Sequence, residues 1–140
     1  MAKRKHSPLP FDKRGGVIVM LVRMINSASY SSLSTPAKAM LPYLQVHWRN
    51  DKPVDYGVRE AMRRLCCSKA TAIKVFHELQ DLGFIELVDE SLFSSRIQSK
   101  TRTWRLTWLP FDNKPPTNEW EKITSTGAIP IPVERYRYLK

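Results

Sequence analysis

A chain of 140 residues with 42% hydrophobic content is long enough for one domain with a real core and too short for two ordinary ones. Its formal net charge of +10 surrounds the surface with positive potential, which favours polyanions such as nucleic acid or an acidic membrane face. The two cysteines, Cys66 and Cys67, are adjacent, which excludes a disulfide framework and a Cys/His metal cluster and fits a reducing cytoplasm.

Residues 1–14 read as a basic arm: Lys3, Arg4, Lys5, Lys13 and Arg14 stand against one acid, Asp12, and Pro8 and Pro10 discourage regular structure. Such an arm either contacts phosphates or solubilises the chain. The domain proper is expected over residues 15–109. Its first segment, Gly16 to Ile25, is β-branched and Met-rich and reads as a docking strand or packed extension. The longest apolar run, Val17 to Val22, is stopped by Arg23, far short of the roughly 20 residues that span a bilayer, and lacks the length and cleavage site of a secretory signal. Asn26 to Ser34 is a Ser-rich connection with a turn of helix at most.

A first helix is expected from Ser34, Thr35 and Pro36, a cap followed by a proline whose missing amide does no harm. Ala37, Met40, Leu41, Leu44 and Trp48 trace its apolar face, with Pro42 predicting a kink. Asn50 to Gly57 is a polar turn in which Val54 to Tyr56 can form a short strand.

Val58 to Ile85 carries the strongest pattern. Val58, Ala61, Met62 and Leu65 fall at i, i+3, i+4, i+7, and Ala72, Val75, Phe76 and Leu79 repeat that spacing after Cys66-Cys67-Ser68. Two short amphipathic helices separated by a turn make a helix-turn-helix, with Ser68 as N-cap and Gly83 as the left-handed stop of the second helix. Because the core takes one side of that helix, Lys69, Ala70, Thr71, Ile73, Lys74 and His77 are left to face a major groove. The lysines and histidine can donate to guanine edges or phosphates, while Thr71, Ala70 and Ile73 can meet a thymine methyl. Ser68, at the helix start, and Arg59, Arg63 and Arg64, on the preceding helix, are expected to hold phosphates and set orientation. Glu78 and Asp81 are placed in the distal half, beyond groove contact.

After Gly83, Phe84 to Val88 reads as one strand and Thr103 to Leu109 as another, with Trp104, Leu106 and Trp108 alternating inward against Thr103, Arg105 and Thr107. The loop between them, Asp89 to Arg102, is a candidate wing whose Arg96, Lys100 and Arg102 can track the DNA backbone or enter a minor groove. Residues 110–140 hold five of the ten prolines and read as a partly ordered extension, with Trp120 gaining most by docking and a basic, aromatic end, ERYRYLK.

No catalytic constellation stands out: His6, His47 and His77 are not placed beside a nucleophile, so neither an enzyme nor a cofactor is expected. Cys66 and Cys67 have two readings, a redox-sensing thiol at a helix N-terminus near Arg63, Arg64 and Lys69, and two small residues filling a turn.

Three segments in order, GGVIVMLVRMINSASYSSLSTPAKAML, VREAMRRLCCSKATAIKVFHELQDLGFI and TWRLTWLPFDNKPPTNEW, resemble prokaryotic winged helix-turn-helix DNA-binding proteins associated with prophages and plasmids. The likeness covers Gly15 to about Trp120 and departs at Cys66-Cys67, where such proteins tend to have Gly and an aliphatic residue. It implies an α+β fold: a three-helix winged helix-turn-helix with a two- or three-stranded β-wing and N- and C-terminal extensions. The expected function is transcriptional regulation of a mobile element by sequence-preferring binding to double-stranded DNA, most simply as a repressor in the cytoplasm at the nucleoid. The alternatives are replication initiation at an origin, and a protein-interaction adaptor bound to a replication or transcription protein. A palindromic target would imply a homodimer with half-sites about 34 to 36 Å apart.

Overall fold

A computed structural model of the chain describes residues 11–90 and 102–122. The elements in order are α1 (Val22–Ile25), α2 (Ala28–Ser32), α3 (Thr35–Val46), β1 (Val54–Asp55), α4 (Val58–Leu65), α5 (Lys69–Asp81), β2 (Ile85–Glu90), β3 (Arg102–Leu106) and α6 (Glu119–Lys122). The three strands form one antiparallel sheet in the order β1-β3-β2, so the last strand in sequence is the middle one in space. This is a small α+β protein, and among the described residues no helix is long and apolar enough to cross a membrane.

α3 starts where its cap lies: the Ser34 hydroxyl accepts from the Ala37 amide at 3.3 Å, and the helix runs through Pro42 to Val46. Ala37, Met40, Leu41 and Leu44 are buried along one face. Trp48 lies past the helix end, in the following turn, where its indole donates to the Pro110 carbonyl at 3.0 Å. α4 ends because Cys66 takes a left-handed conformation, φ 51 and ψ 49, which lets the chain reverse into Ser68. Ser68 then caps α5 by accepting from the Thr71 amide at 3.2 Å. Both predicted apolar stripes face the core: Ala61, Ala72, Val75, Phe76 and Leu79 are buried, and Val58, Met62 and Leu65 pack against them half-exposed.

Large aromatics close the core between helices and sheet. Trp104 on β3 stacks on Phe76 of α5 at 5.2 Å between ring centroids, and its indole donates to the Tyr56 carbonyl at 3.1 Å. Burying some 150–250 Å² of such a ring at about 25 cal/mol per Å² contributes roughly 4–6 kcal/mol before entropy, so these contacts, not strand propensity, fix how α5 sits on the sheet.

Four expectations need correction. Of the two readings of Gly16 to Ile25, the strand fails and the packed extension holds: Val17, Ile18 and Val19 stand exposed without regular structure, Val22–Ile25 is helical, and Met20, Leu21 and Met24 pack on the core. Asn26 to Ser34 holds more helix than a turn, α2, capped by Ser27 and anchored by the buried Ser29. β3 stops at Leu106, short of Leu109. Thr107, read as outward, is fully buried; its amide donates to the Phe84 carbonyl at 3.0 Å and its hydroxyl to the Gly83 carbonyl at 2.6 Å, so a hydrogen-bond need overrides the alternation.

The segment after β3 folds back as a strap. Trp120 is 2% exposed and lies parallel to Phe84 at 6.3 Å, with the Arg23 guanidinium 5.3 Å over its ring. The Ser29 hydroxyl donates to the Trp120 carbonyl at 2.7 Å, and Arg23 pairs with Glu121. Gly83, at φ +78, has no room for a side chain: a Cβ there would lie 2.8 Å from the Glu119 carbonyl carbon.

Candidate nucleic-acid interface

The helix that would read bases is positioned from three sides. Its apolar stripe is sunk against α3 and β2, with Phe76 stacked on Trp104 of β3, the Cys66 turn fixes its angle to α4, and a carboxylate ties it to the start of α3. That carboxylate belongs to Glu78, which accepts from the Ser34 amide at 2.6 Å and from the Ser34 hydroxyl at 2.7 Å. Glu78, expected only to lie in the distal half beyond groove contact, has a positioning role that its sequence context does not signal. Its partner lies 44 positions away, so no local pattern points to it, although the Ser34 cap was legible.

With its oily side held, α5 presents Lys69, Ala70, Lys74 and His77 to solvent, and Thr71 and Ile73 half-exposed beside them. Lys69, Ile73 and His77 fall one turn apart, and Ala70, Lys74 and His77 trace the adjacent row, so all share one side of the helix. Ser68 is exposed at the N-terminus with its hydroxyl engaged: it accepts from the Thr71 amide and donates to Thr71 Oγ1 at 3.1 Å. Capping its own helix is therefore its first task.

Arg59, Arg63 and Arg64 are exposed on α4. Arg63 lies 3.5 Å from Glu60, one helical turn earlier, and Arg64 sits 5.6 Å over the Tyr43 ring of α3. Among the described residues Arg59 has no carboxylate within ion-pair distance. Arg102 is half-buried at the start of β3, opposite Glu90 of β2, and its carbonyl accepts from the Tyr56 amide at 3.4 Å, so it stands at the end of the hairpin from which the connecting loop leaves. Arg96 and Lys100 lie outside the described residues, as do most of the basic arm and the ERYRYLK end.

Behind α4, Tyr56 is 1% exposed and its hydroxyl has no hydrogen-bond partner among the described residues. Burial, reinforced by the Glu60 charge and opposed by Arg64 and Arg63, raises its pKa above the usual 10.0. His47 stands edge-on to the Tyr56 ring at 5.6 Å, with Nε2 4.0 Å from Glu60. Cys66 is exposed and Cys67 half-buried in the interhelix turn. Among the described residues no three His, Cys, Asp or Glu side chains gather as metal ligands.

What the arrangement offers chemically is a narrow, two-tier cationic surface: point charges and small apolar groups on α5, guanidinium groups on α4 behind it. Protein-family models, curated proteins and solved structures were all compared with the chain, and none matches it.

Proposed function

We propose that the protein is a winged helix-turn-helix module that binds duplex DNA with sequence preference through α5 and regulates transcription of a mobile element by occluding a promoter. The observation that carries the reading is the two-sidedness of α5: Ala72, Val75, Phe76 and Leu79 are buried, while Lys69, Ala70, Lys74 and His77 on the other side are exposed and uncovered by any described segment. The order helix, strand, helix, turn, helix, strand, strand with a β1-β3-β2 sheet supports the winged form.

At 1.5 Å per residue the 13 residues of α5 make a rod about 20 Å long, which fits lengthwise in a major groove roughly 12 Å wide. Seated there, Lys74 and His77 donate to base edges, Ala70 and Ile73 meet thymine methyls, and Lys69 takes a phosphate at the helix start. Arg59, Arg63 and Arg64 bind the flanking backbone and set the register, and Arg102 supports the hairpin that carries Arg96 and Lys100. The apolar and hydroxyl groups make the face selective, since their contribution depends on the base they meet.

Selection of bound fragments from random duplexes tests the reading. An enriched motif is expected, and Lys74→Ala weakens binding to it by about 1–3 kcal/mol while leaving random duplex nearly unaffected. No enrichment, or equal weakening on both duplexes, overturns it.

A further inference from the structure

A pocket of about 380 Å³ opens between the start of α3 and α5, and its lining includes Lys74, the side chain on which base reading is proposed to turn. Two apolar groups, the half-buried Pro36 and the buried Val75, share that lining with Thr71, Lys74 and Glu78. The volume falls within the range of about 300–1,000 Å³ in which pockets hold small molecules, and a few polar groups on an apolar wall are what such pockets present.

The charge inside distinguishes it from a surface crevice. Lys74 and Glu78 stand one turn apart on α5, where a lysine and a glutamate ordinarily pair. Here the glutamate is engaged elsewhere: Oε1 accepts from the Ser34 amide at 2.6 Å and Oε2 from the Ser34 hydroxyl at 2.7 Å, so both oxygens turn to the N-terminus of α3. Among the described residues Lys74 is left with no carboxylate within ion-pair distance. Thr71, three residues earlier, accepts from the Ser68 hydroxyl at 3.1 Å, which leaves its own O–H to donate. An ammonium and a hydroxyl proton therefore line one pocket, and both call for an acceptor.

We infer that this pocket binds a small carboxylic acid, whose carboxylate accepts from Lys74 and Thr71 while its hydrocarbon part packs on Pro36 and Val75. One ammonium matches one negative charge, and a hydrogen bond between ionised groups is the strong kind. A phosphate dianion fits less well, since its second charge has no cation of its own and meets the Glu78 carboxylate on the same wall. The apolar wall favours a chain or ring over bare acetate, each buried methylene strengthening binding by up to about fourfold. The consequence rests on the proposed reading of α5: an acid seated on Lys74 withholds that donor from the duplex, so acid and DNA exclude each other and the acid acts as an inducer.

Amide chemical shifts of the free full chain, titrated with acetate, butyrate and benzoate, test the site without DNA. Saturable shifts centred on Ser34, Thr71 and Lys74 are expected, with butyrate and benzoate about tenfold tighter than acetate. Benzamide and inorganic phosphate are expected to bind about tenfold more weakly than benzoate. Lys74→Met and Pro36→Asp each abolish the shifts; the second sets a carboxylate on the pocket wall at a first-turn position where helices favour an acid, so the fold is kept. On an enriched duplex, benzoate at about ten times its own dissociation constant raises the DNA dissociation constant about elevenfold. Shifts absent or centred elsewhere, benzamide or phosphate as tight as benzoate, or DNA affinity indifferent to saturating benzoate overturn the inference. A chain that binds benzoate at these residues yet enriches no duplex supports the site and removes the transcriptional reading.

Discussion

Gly83 serves two demands with one missing atom: it ends α5 in the left-handed region, and it lets the Glu119 backbone come within contact distance. An alanine there carries left-handed strain of about 1–2 kcal/mol and a forced displacement of a further 1–3, so Gly83→Ala is expected to lose about 2–4 kcal/mol in urea unfolding. Tyr56 behaves in the opposite sense. Its hydroxyl is buried without a partner among the described residues, so Tyr56→Phe is expected to be neutral or stabilising by up to about 1 kcal/mol. Because the folded pKa is raised above 10.0, the unfolded chain gives up this proton first as pH climbs. The stability is intact below about pH 10 and declines above it. Comparing denaturant midpoints of Tyr56→Phe and the parent from pH 7 to about pH 11 checks this: the difference widens on the alkaline side. Ser34, Ser68 and Gly83 were legible as caps because a cap's partner lies within one turn. Thr107 was misread because its partners, the carbonyls of Gly83 and Phe84, come from another strand end.

Among the elements, α4 and α5 were legible in full, since each needs a single apolar stripe and the stripe recurs every three to four residues. The N-terminal segment was legible as a packed extension and not as helix. A β-branched run has strand propensity, yet propensity acts only where an edge is free to pair, and β1, already paired with β3, leaves an outer edge of only two residues. Trp120 was expected to dock and does so, which makes the post-β3 strap part of the packing of α1, α2 and Phe84. Trp120→Ala is expected to cost about 3–5 kcal/mol by unfolding, and to free Arg23 at the same time. Glu78 joins two elements rather than supporting one. Its loss leaves the Ser34 amide and hydroxyl without their carboxylate, so Glu78→Ala is expected to cost about 1–3 kcal/mol by the same measurement.

For the molecule as a whole, a net charge of +10 makes salt the most direct probe of the proposed partner. If Arg59, Arg63, Arg64 and Lys69 each neutralise one phosphate, the logarithm of DNA affinity falls against the logarithm of salt with a slope of about −3.6, taking 0.9 per phosphate. Filter or fluorescence titrations from low to physiological salt measure it. A flat line removes phosphate contact from the account and leaves α5 a surface for some other partner.

The β1-β3-β2 order sets a timetable for making the molecule. At the 5–20 residues per second of synthesis, α3, α4 and α5 leave the ribosome seconds before Arg102–Leu106, the strand that zips β1 to β2 and brings Trp104 under Phe76. Until that strand is made, Phe76 of α5 lacks the Trp104 ring it stacks on, and the lysine-bearing rod is held by α3 and α4 alone. Under the proposed reading, a message cut short upstream of it leaves α5 without its aromatic backing, so DNA binding is expected to begin only once Leu106 has been made.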